Sequence, residues 1–287
     1  MSRKTVRRSP PRAGRAAAGR VAEKRASRPT PSRARGTSTL GGEQVEGVHA
    51  VRELFIAGRR RVRELVVSDP ERSVELVELA RQARVPVRRV GASRLDRLAA
   101  TEAHQGVLAY ADPVPTVDLE ELVARESGAD EAEPPLLLVL AGVTDPRNLG
   151  AILRVADAAS VSGVVLPRHR SAPLSPAATK AAAGAAEYVP ICVVPGVASA
   201  LARLSELGLW NVGLDAGGDE TIFDLHLADQ PLSLVLGGEG EGLPRLVRRR
   251  CDAVVRIPSS GALASMNVAT AAAVACFEIR RRRSWRR

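Results

Sequence analysis

The apolar positions of this chain keep two different rhythms. In the N-terminal half, Val48, Val51, Leu54 and Phe55 recur three and four apart, a spacing that gathers them on one face of a helix. Residues 64–68 read as a strand, Val74, Leu76, Val77, Leu79 and Ala80 as a second amphipathic helix, and residues 85–90 and 106–110 as further strands. This alternation predicts a small α/β domain over residues 43–113. Further on, polar alternation disappears. Six short runs, 136–141 (LLLVLA), 163–166, 191–194, 211–214, 232–236 and 254–257, are almost wholly apolar, as strands are when helices cover both faces of a parallel sheet. Alanine-rich helices fall between them at 149–159, 176–187 and 197–207. The second domain is therefore α/β as well, over residues 136–280, and residues 114–135, which end in SGADEAEPP, read as a linker.

In sheets of this kind ligands bind beyond the carboxyl ends of the strands, which directs attention to the loops after Ala141, Leu236 and Ile257. The first, GVTDPRNLGAILRVADAA, turns at Asp145 and Pro146 and enters a helix near Asn148, a residue type suited to capping free amides. Arg154 follows among Ile152, Leu153 and Val155, a setting in which a fixed charge needs an anionic partner. The second, LGGEGEGL at 236–243, has neither GxGxxG spacing nor the Lys-Ser/Thr ending of a phosphate-binding loop. Glu239 and Glu241 oppose phosphate, so a close ligand here is neutral or cationic at its centre, as a sulfonium cofactor is. The third, IPSSGALASMNVATAAA, places Ser265 and Asn267 at the start of a small-residue helix, where unpaired amides can hold an anion or a cap.

Charge changes the picture once it is divided along the chain. Residues 1–42 hold 12 Arg or Lys against the single acid Glu23, and residues 280–287 hold six arginines, whereas residues 43–279 carry a net charge of −7. The basic pI belongs to the ends. Residues 1–42, with four prolines among Arg, Ala, Ser and Gly, have too little apolar surface to offset ordering and read as a disordered basic tail; residues 281–287 read as a second, shorter one. Such tails attract phosphate regardless of sequence, and an RNA-binding arm is the preferred reading over a merely solubilising one. Three dispersed cysteines form no CxxC pair and four dispersed histidines no metal-ligand spacing, which points to a reducing cytoplasm and to no metal site. No apolar run approaches the roughly 20 residues of a membrane helix.

Read together, TDPRNLGAILRVADA, LGGEGEGL and IPSSGALASMNVA resemble the three ordered motifs of the SpoU (TrmH-type) RNA 2′-O-methyltransferases of the SPOUT class. EGVHAVRELF at 46–55 and HQGVLAYA at 104–111 resemble the small substrate-binding domain, similar to ribosomal protein L30e, of members directed at rRNA. The resemblance implies a trefoil-knotted methyltransferase domain, S-adenosyl-L-methionine as methyl donor, a homodimer, and a guanosine ribose of large-subunit rRNA as target. It implies cofactor contacts at Gly237, Ile257 and Met266, largely through backbone, and functional positions at Asn148, Arg154, Glu239, Ser265 and Asn267. Within that scheme Arg154 positions RNA phosphate and the 2′-hydroxyl, or accepts its proton, although a guanidinium is a poor base. Asn148 and Ser265 orient, Asn267 fixes the third loop, and Glu239 orders the cofactor loop and an arginine neighbour. Met266 stands where leucine is usual, Ala269 where serine is common and Ser259 where methionine is common. Competing readings are the same chemistry on tRNA or another rRNA nucleotide, and a non-catalytic RNA-binding or ribosome-assembly protein. If the basic arm binds RNA, removal of residues 1–42 weakens rRNA binding and flattens its dependence on salt; an unchanged slope in a salt titration assigns the arm no part.

Overall fold

The computed structural model describes residues 40–124, 133–240, 242–261 and 266–284. In the first domain β1 (Gln44–Glu46), α1 (Val48–Ala57), β2 (Val62–Val67), α2 (Val74–Gln82), β3 (Val87–Arg89), α3 (Ala92–Leu98) and β4 (Val107–Ala111) follow in sequence. Their sheet has the order β1-β4-β2-β3, with β4 antiparallel to both neighbours and β3 parallel to β2. The helical stripe of Val51 and Leu54 packs on Leu65, Val67 and Leu76 in a small core. β1 and α3 have no counterpart in the sequence reading, because three and seven residues are too short to carry a period. β1 is held by its polar residue: the Glu46 carboxylate is buried and accepts from the Ala100 and Thr101 amides.

The second domain comprises β5 (Leu136–Ala141), α5 (Pro146–Ala158), β6 (Gly163–Pro167), α6 (Pro176–Ala182), β7 (Ile191–Val194), α7 (Val197–Glu206), β8 (Trp210–Leu214), β9 (Glu220–Thr221), β10 (Leu232–Gly237), α8 (Arg245–Arg248), β11 (Ala253–Arg256) and α9 (Val268–Ser284). Its seven strands lie parallel in the order β7-β6-β5-β10-β8-β11-β9. Side chains alternate across the sheet. Leu136, Leu138 and Leu140 of β5 meet Leu149, Ile152, Ala272 and Ile279 on one face, while Leu137 and Val139 meet Leu201 and Leu204 on the other. Both faces are covered, as the unbroken apolar runs require.

Four features depart from the sequence expectations, each for a local reason. Helix α6 stops at Ala182 instead of running to 187, because Ala183 (φ 50°) and Gly184 (φ 98°) turn left-handed before a 3-10 turn at Ala185–Glu187. The stretch read as a linker begins with ordered chain: the Val117 amide bonds to the Ile191 carbonyl, and α4 (Leu119–Ala124) inserts Leu122 against Gly163. At the C-terminus, α9 carries the arginine run as far as Ser284. Arg283 is buried there and donates to the carbonyls of Ala228, Pro134 and Gln230, each at 2.7 Å, and burial lowers its pKa to about 10. Finally, residues 40–42 belong to the fold, since the Leu40 carbonyl accepts from Leu174 and the Gly41 carbonyl from Val114. A truncation that spares the domain ends at residue 39; residues 1–39 and 285–287 lie outside the described residues.

The two domains are joined by a buried ion pair. Arg60 donates through Nε and Nη2 to Glu187 at 2.8 and 2.5 Å and through Nη1 to the carbonyls of Gly42 and Asp112, while Arg59 donates to the carbonyls of Glu187 and Tyr188. All three cysteines are free, and burial pushes the thiols of Cys276 and Cys251 up to about 12 and that of Cys192 up to about 11.

The α5–α6 contact depends on Gly150. A β-carbon there lies 2.3 Å from the Ala178 carbonyl oxygen and 2.6 Å from the Ala181 methyl. Helix propensity favours Gly150→Ala by about 1 kcal/mol. The backbone clash outweighs it, and we expect a net destabilisation of about 1–3 kcal/mol by urea unfolding; a stabilised variant contradicts the packing.

Candidate active site

A cavity of about 300 Å³ opens beyond the carboxyl ends of β8, β10 and β11, against the first turn of α9. Its floor is apolar, from Leu214, Leu236, Ile257, Val268 and Ala271, and its rim carries the carboxylates of Asp215 and Glu239 with the glycines of the β10 loop. Those glycines are fixed by close backbone approach. A β-carbon at Gly237 falls 2.3 Å from the Gly242 carbonyl oxygen, and one at Gly238 falls 2.7 Å from that of Gly142. Gly240 (φ 77°) and Gly242 (φ 64°) then turn the loop back through left-handed conformations, so that Gly238 bridges Gly242.

Of the residues singled out in the sequence, Gly237, Glu239, Ile257 and Met266 line this cavity. Asn148 and Asn267 join it through Glu239. The Asn148 Nδ2 donates to Glu239 Oε1, and the Asn267 Nδ2 donates to Asn148 Oδ1 at 3.0 Å and to Glu239 Oε1 at 3.4 Å. The Asn267 Oδ1 meanwhile accepts from the amides of Ala269 and Thr270 at 3.0 and 3.2 Å, capping α9. One residue from each of three loops thus meets at a point. Asn148 is not the helix cap expected of it: Asp145 accepts from the Arg147 amide, Pro146 takes the first helical position, and Asn148 lies buried within the first turn. Glu239 bonds to asparagines where an arginine neighbour was expected. Ser265 lies outside the described residues.

Arg154 is not brought to this cavity. Six residues beyond Asn148, it lies about 9 Å further along α5 and is exposed on the outer face, where it lines a separate depression with His49, Glu53, Asp157 and Tyr188. Its apolar sequence neighbours carry no information about its surroundings, because Ile152 and Leu153 point to the core about 100° or more away around the helix.

Asp215, at the end of β8, escaped the sequence reading. Its Oδ2 accepts from the Leu243 amide at 3.0 Å, its Oδ1 from the Gly217 amide at 2.9 Å, and Arg248 pairs with it at 3.1 Å. Partial burial works against its ionisation and is outweighed by the two amides and the guanidinium, so its pKa lies below the usual value. The available signal was a carboxylate directly after an apolar strand, in the aspartate-alanine-glycine-glycine turn that follows β8.

The lining has two carboxylates, an apolar floor and no lysine or arginine among the described residues. This chemistry accepts an adenosyl group bearing a cationic sulfonium and disfavours a nucleotide phosphate. Among the described residues no group of three or more His, Cys, Asp or Glu is placed to hold a metal.

Comparison with known proteins agrees with this geometry. Residues 135–277 match the family model described as the SpoU rRNA Methylase family, and residues 44–117 match that for RNA 2′-O ribose methyltransferase substrate binding. The 23S rRNA (guanosine-2′-O-)-methyltransferase RlmB of Pseudomonas aeruginosa is 43% identical over 249 residues, covering 84% of this chain and 97% of that protein. The chain belongs to the SpoU rRNA methylase family. The RlmB of Ralstonia nicotianae is 41% identical, over 83% of this SpoU methylase and 95% of its own length. Among solved structures, the SpoU methyltransferase AviRb from Streptomyces viridochromogenes, in complex with the cofactor AdoMet, superposes with a TM-score of 0.70 at 29% identity, covering 84% of this chain and 89% of that one.

Because Asp215 holds the cofactor loop through Leu243, Asp215→Asn is expected to weaken S-adenosylmethionine binding about tenfold, roughly the loss of one charge-assisted hydrogen bond. Its folded pKa is depressed, so its contribution is complete above the usual carboxylate range and is lost only as pH falls through the lowered value. Calorimetric affinity for the wild type should therefore show no break attributable to this group between pH 6 and pH 8, with the variant weaker throughout; equal affinities exclude the role.

Proposed function

We propose that this SpoU methylase is an S-adenosylmethionine-dependent ribose 2′-O-methyltransferase acting on a guanosine of 23S rRNA in the cytoplasm. The observation that carries the reading is the meeting of Asn148, Glu239 and Asn267, which locks three separate loops around one phosphate-averse cavity. The activity of relatives near 40% identity, 23S rRNA guanosine 2′-O-methylation, supports the rRNA target. No helix among the described residues is long and apolar enough to cross a membrane.

Bound S-adenosylmethionine would supply its sulfonium methyl to the ribose 2′ oxygen, the carbon–sulfur bond breaking to leave S-adenosylhomocysteine as the carbon–oxygen bond forms and the hydroxyl proton passing to solvent. Gly237, Ile257 and Met266 hold the adenosyl part through the cavity wall, with Asp215 keeping the loop closed. Glu239 and Asn148 fix their loops beside the reacting groups, and Ser265, outside the described residues, keeps the orienting role that the family resemblance implies. An in-line geometry held in this way supplies much of the acceleration.

Arg154, on the outer face of α5, serves in this reading the cavity of a second copy, where it holds the RNA phosphate and the 2′-hydroxyl. Helix α9 packs beside α5 and leaves Phe277 half exposed, an apolar contribution to such a homodimer interface. The trefoil knot belongs to the same reading.

The test is transfer of labelled methyl to unmodified 23S rRNA and to total tRNA, with the product mapped. Wild-type protein is expected to label one guanosine ribose in 23S rRNA, and Arg154→Ala to lose at least about 100-fold in rate with cofactor affinity retained. Label confined to tRNA overturns the substrate; transfer by Arg154→Ala within a few fold of wild type overturns the role of the arginine.

A further inference from the structure

The first domain contains a second cavity, of about 310 Å³, between the turn joining α1 to β2 and the turn joining α2 to β3. Its apolar part comes from Leu54, Phe55, Val85 and Pro86, and its rim carries Arg61 and Arg84. Both arginines are exposed, and neither side chain has an ion pair or hydrogen bond among the described residues. This is unlike their neighbours. In the run Arg59-Arg60-Arg61-Val62-Arg63, the first two guanidinium groups are spent on Glu187 and Tyr188 of the second domain and Arg63 pairs with Asp112 at 2.7 Å, leaving Arg61 uncompensated. Arg84 enters from the other turn in a left-handed conformation, φ 56°, which costs a non-glycine residue about 1 kcal/mol. The two turns therefore converge two unpaired cations over an apolar hollow.

We infer that this cleft is an RNA-strand site, taking one unpaired nucleotide with its base against the apolar hollow and its flanking phosphates on Arg61 and Arg84. Guanidinium groups match phosphate in geometry and charge, and an unstacked base recovers its lost contacts on apolar and aromatic surface. The position of the cleft has a consequence for the reaction. Arg60 lines it with its stem while its guanidinium is buried on Glu187, so a strand held in the cleft is held at a set offset from the methyltransferase domain. The inference rests on the reading of the protein as an RNA methyltransferase and adds where the substrate is gripped.

The experiment uses the full chain and unmodified 23S rRNA made by transcription. In the double variant Arg61→Gln/Arg84→Asn the second substitution keeps a residue type that tolerates φ 56°. It is expected to raise KM for rRNA about tenfold or more and to make the slope of log affinity against log salt shallower by about 1.4, as for two single-strand phosphates. Cofactor affinity and Tm should match the wild type. The control pair Arg94→Gln/Arg97→Gln, exposed on α3, should leave KM within twofold. An unchanged slope and KM in the Arg61/Arg84 variant overturns the cleft, and so does an equal loss in the control pair, which would make the attraction diffuse. Failure of the wild type to methylate any rRNA overturns the activity instead, and the binding slopes are still read.

Discussion

A buried amide side chain must find partners for its donors and its acceptor, and Asn148 finds them only on other loops. This constraint organises the catalytic half of the molecule. Asn148 is set into the first turn of α5 by the Asp145 cap and Pro146, so its position relative to the sheet is decided by β5 and α5 together. Its donor reaches Glu239 after β10, and its acceptor is met by Asn267 before α9. The Asn267 side chain faces both ways, using its oxygen to start α9 and its nitrogen to join the junction. Glu239 and Asn267 are themselves exposed, so their bonds compete with water and are worth about 1 kcal/mol each. Leaving the buried Asn148 unpartnered costs more than either bond gains, and this makes the three loops interdependent.

The shape of the cavity follows from backbone contact. Gly237 against Gly242, and Gly238 against Gly142, bring main chain to within distances that no β-carbon allows. With side chains removed from that wall, the ligand side of the loop presents peptide groups, while Asp215 holds the far side closed through the Leu243 amide. Glu239 on this loop and Asp215 beside it oppose phosphate, while the bare peptide groups can bond directionally to a flat neutral ring. Selectivity for a cationic sulfonium needs no lysine or arginine, and the lining has none among the described residues.

What was legible in the sequence follows from the strength of its periods. The strands over Leu136–Ala141 and Ile191–Val194 are fully apolar and were readable to the residue, as was the start of α7 at Val197. Glu239 was legible because its loop interrupts such strands with glycines, whereas Ile257 and Met266 came from the resemblance to the family's motifs. Asn148 was read as a helix cap, but Asp145, three residues earlier and followed by proline, is the better cap. Arg154 was read through its sequence neighbours when a helix separates neighbours by about 100°. Arg283 was assigned to a tail by composition, yet three backbone carbonyls claim its guanidinium, a tertiary fact that composition does not carry. Asp215 lies beyond the loops after Ala141, Leu236 and Ile257, at the end of a fourth strand, β8, that opens on the same cavity.

The joint between the domains raises a separate physical question, because burying an arginine and a glutamate is costly. The Arg60–Glu187 pair is only 2% and 4% exposed, and such a pair contributes little net stability over an apolar contact of the same shape. Its value lies in directionality. Arg60 makes two bonds to the carboxylate and two more to the Gly42 and Asp112 carbonyls, so it specifies a single orientation of the first domain where an apolar patch would tolerate sliding. Gly42 and Asp112 flank β1 and β4, and Glu187 closes the turn that follows α6. The pair therefore ties the sheet of the RNA-directed domain to the helix packed on α5 through Gly150, and α5 carries Asn148. One continuous chain of contacts runs from the arginine-rimmed cleft to the junction of the three loops, and removing either partner would leave a buried charge costing about 3–5 kcal/mol along it.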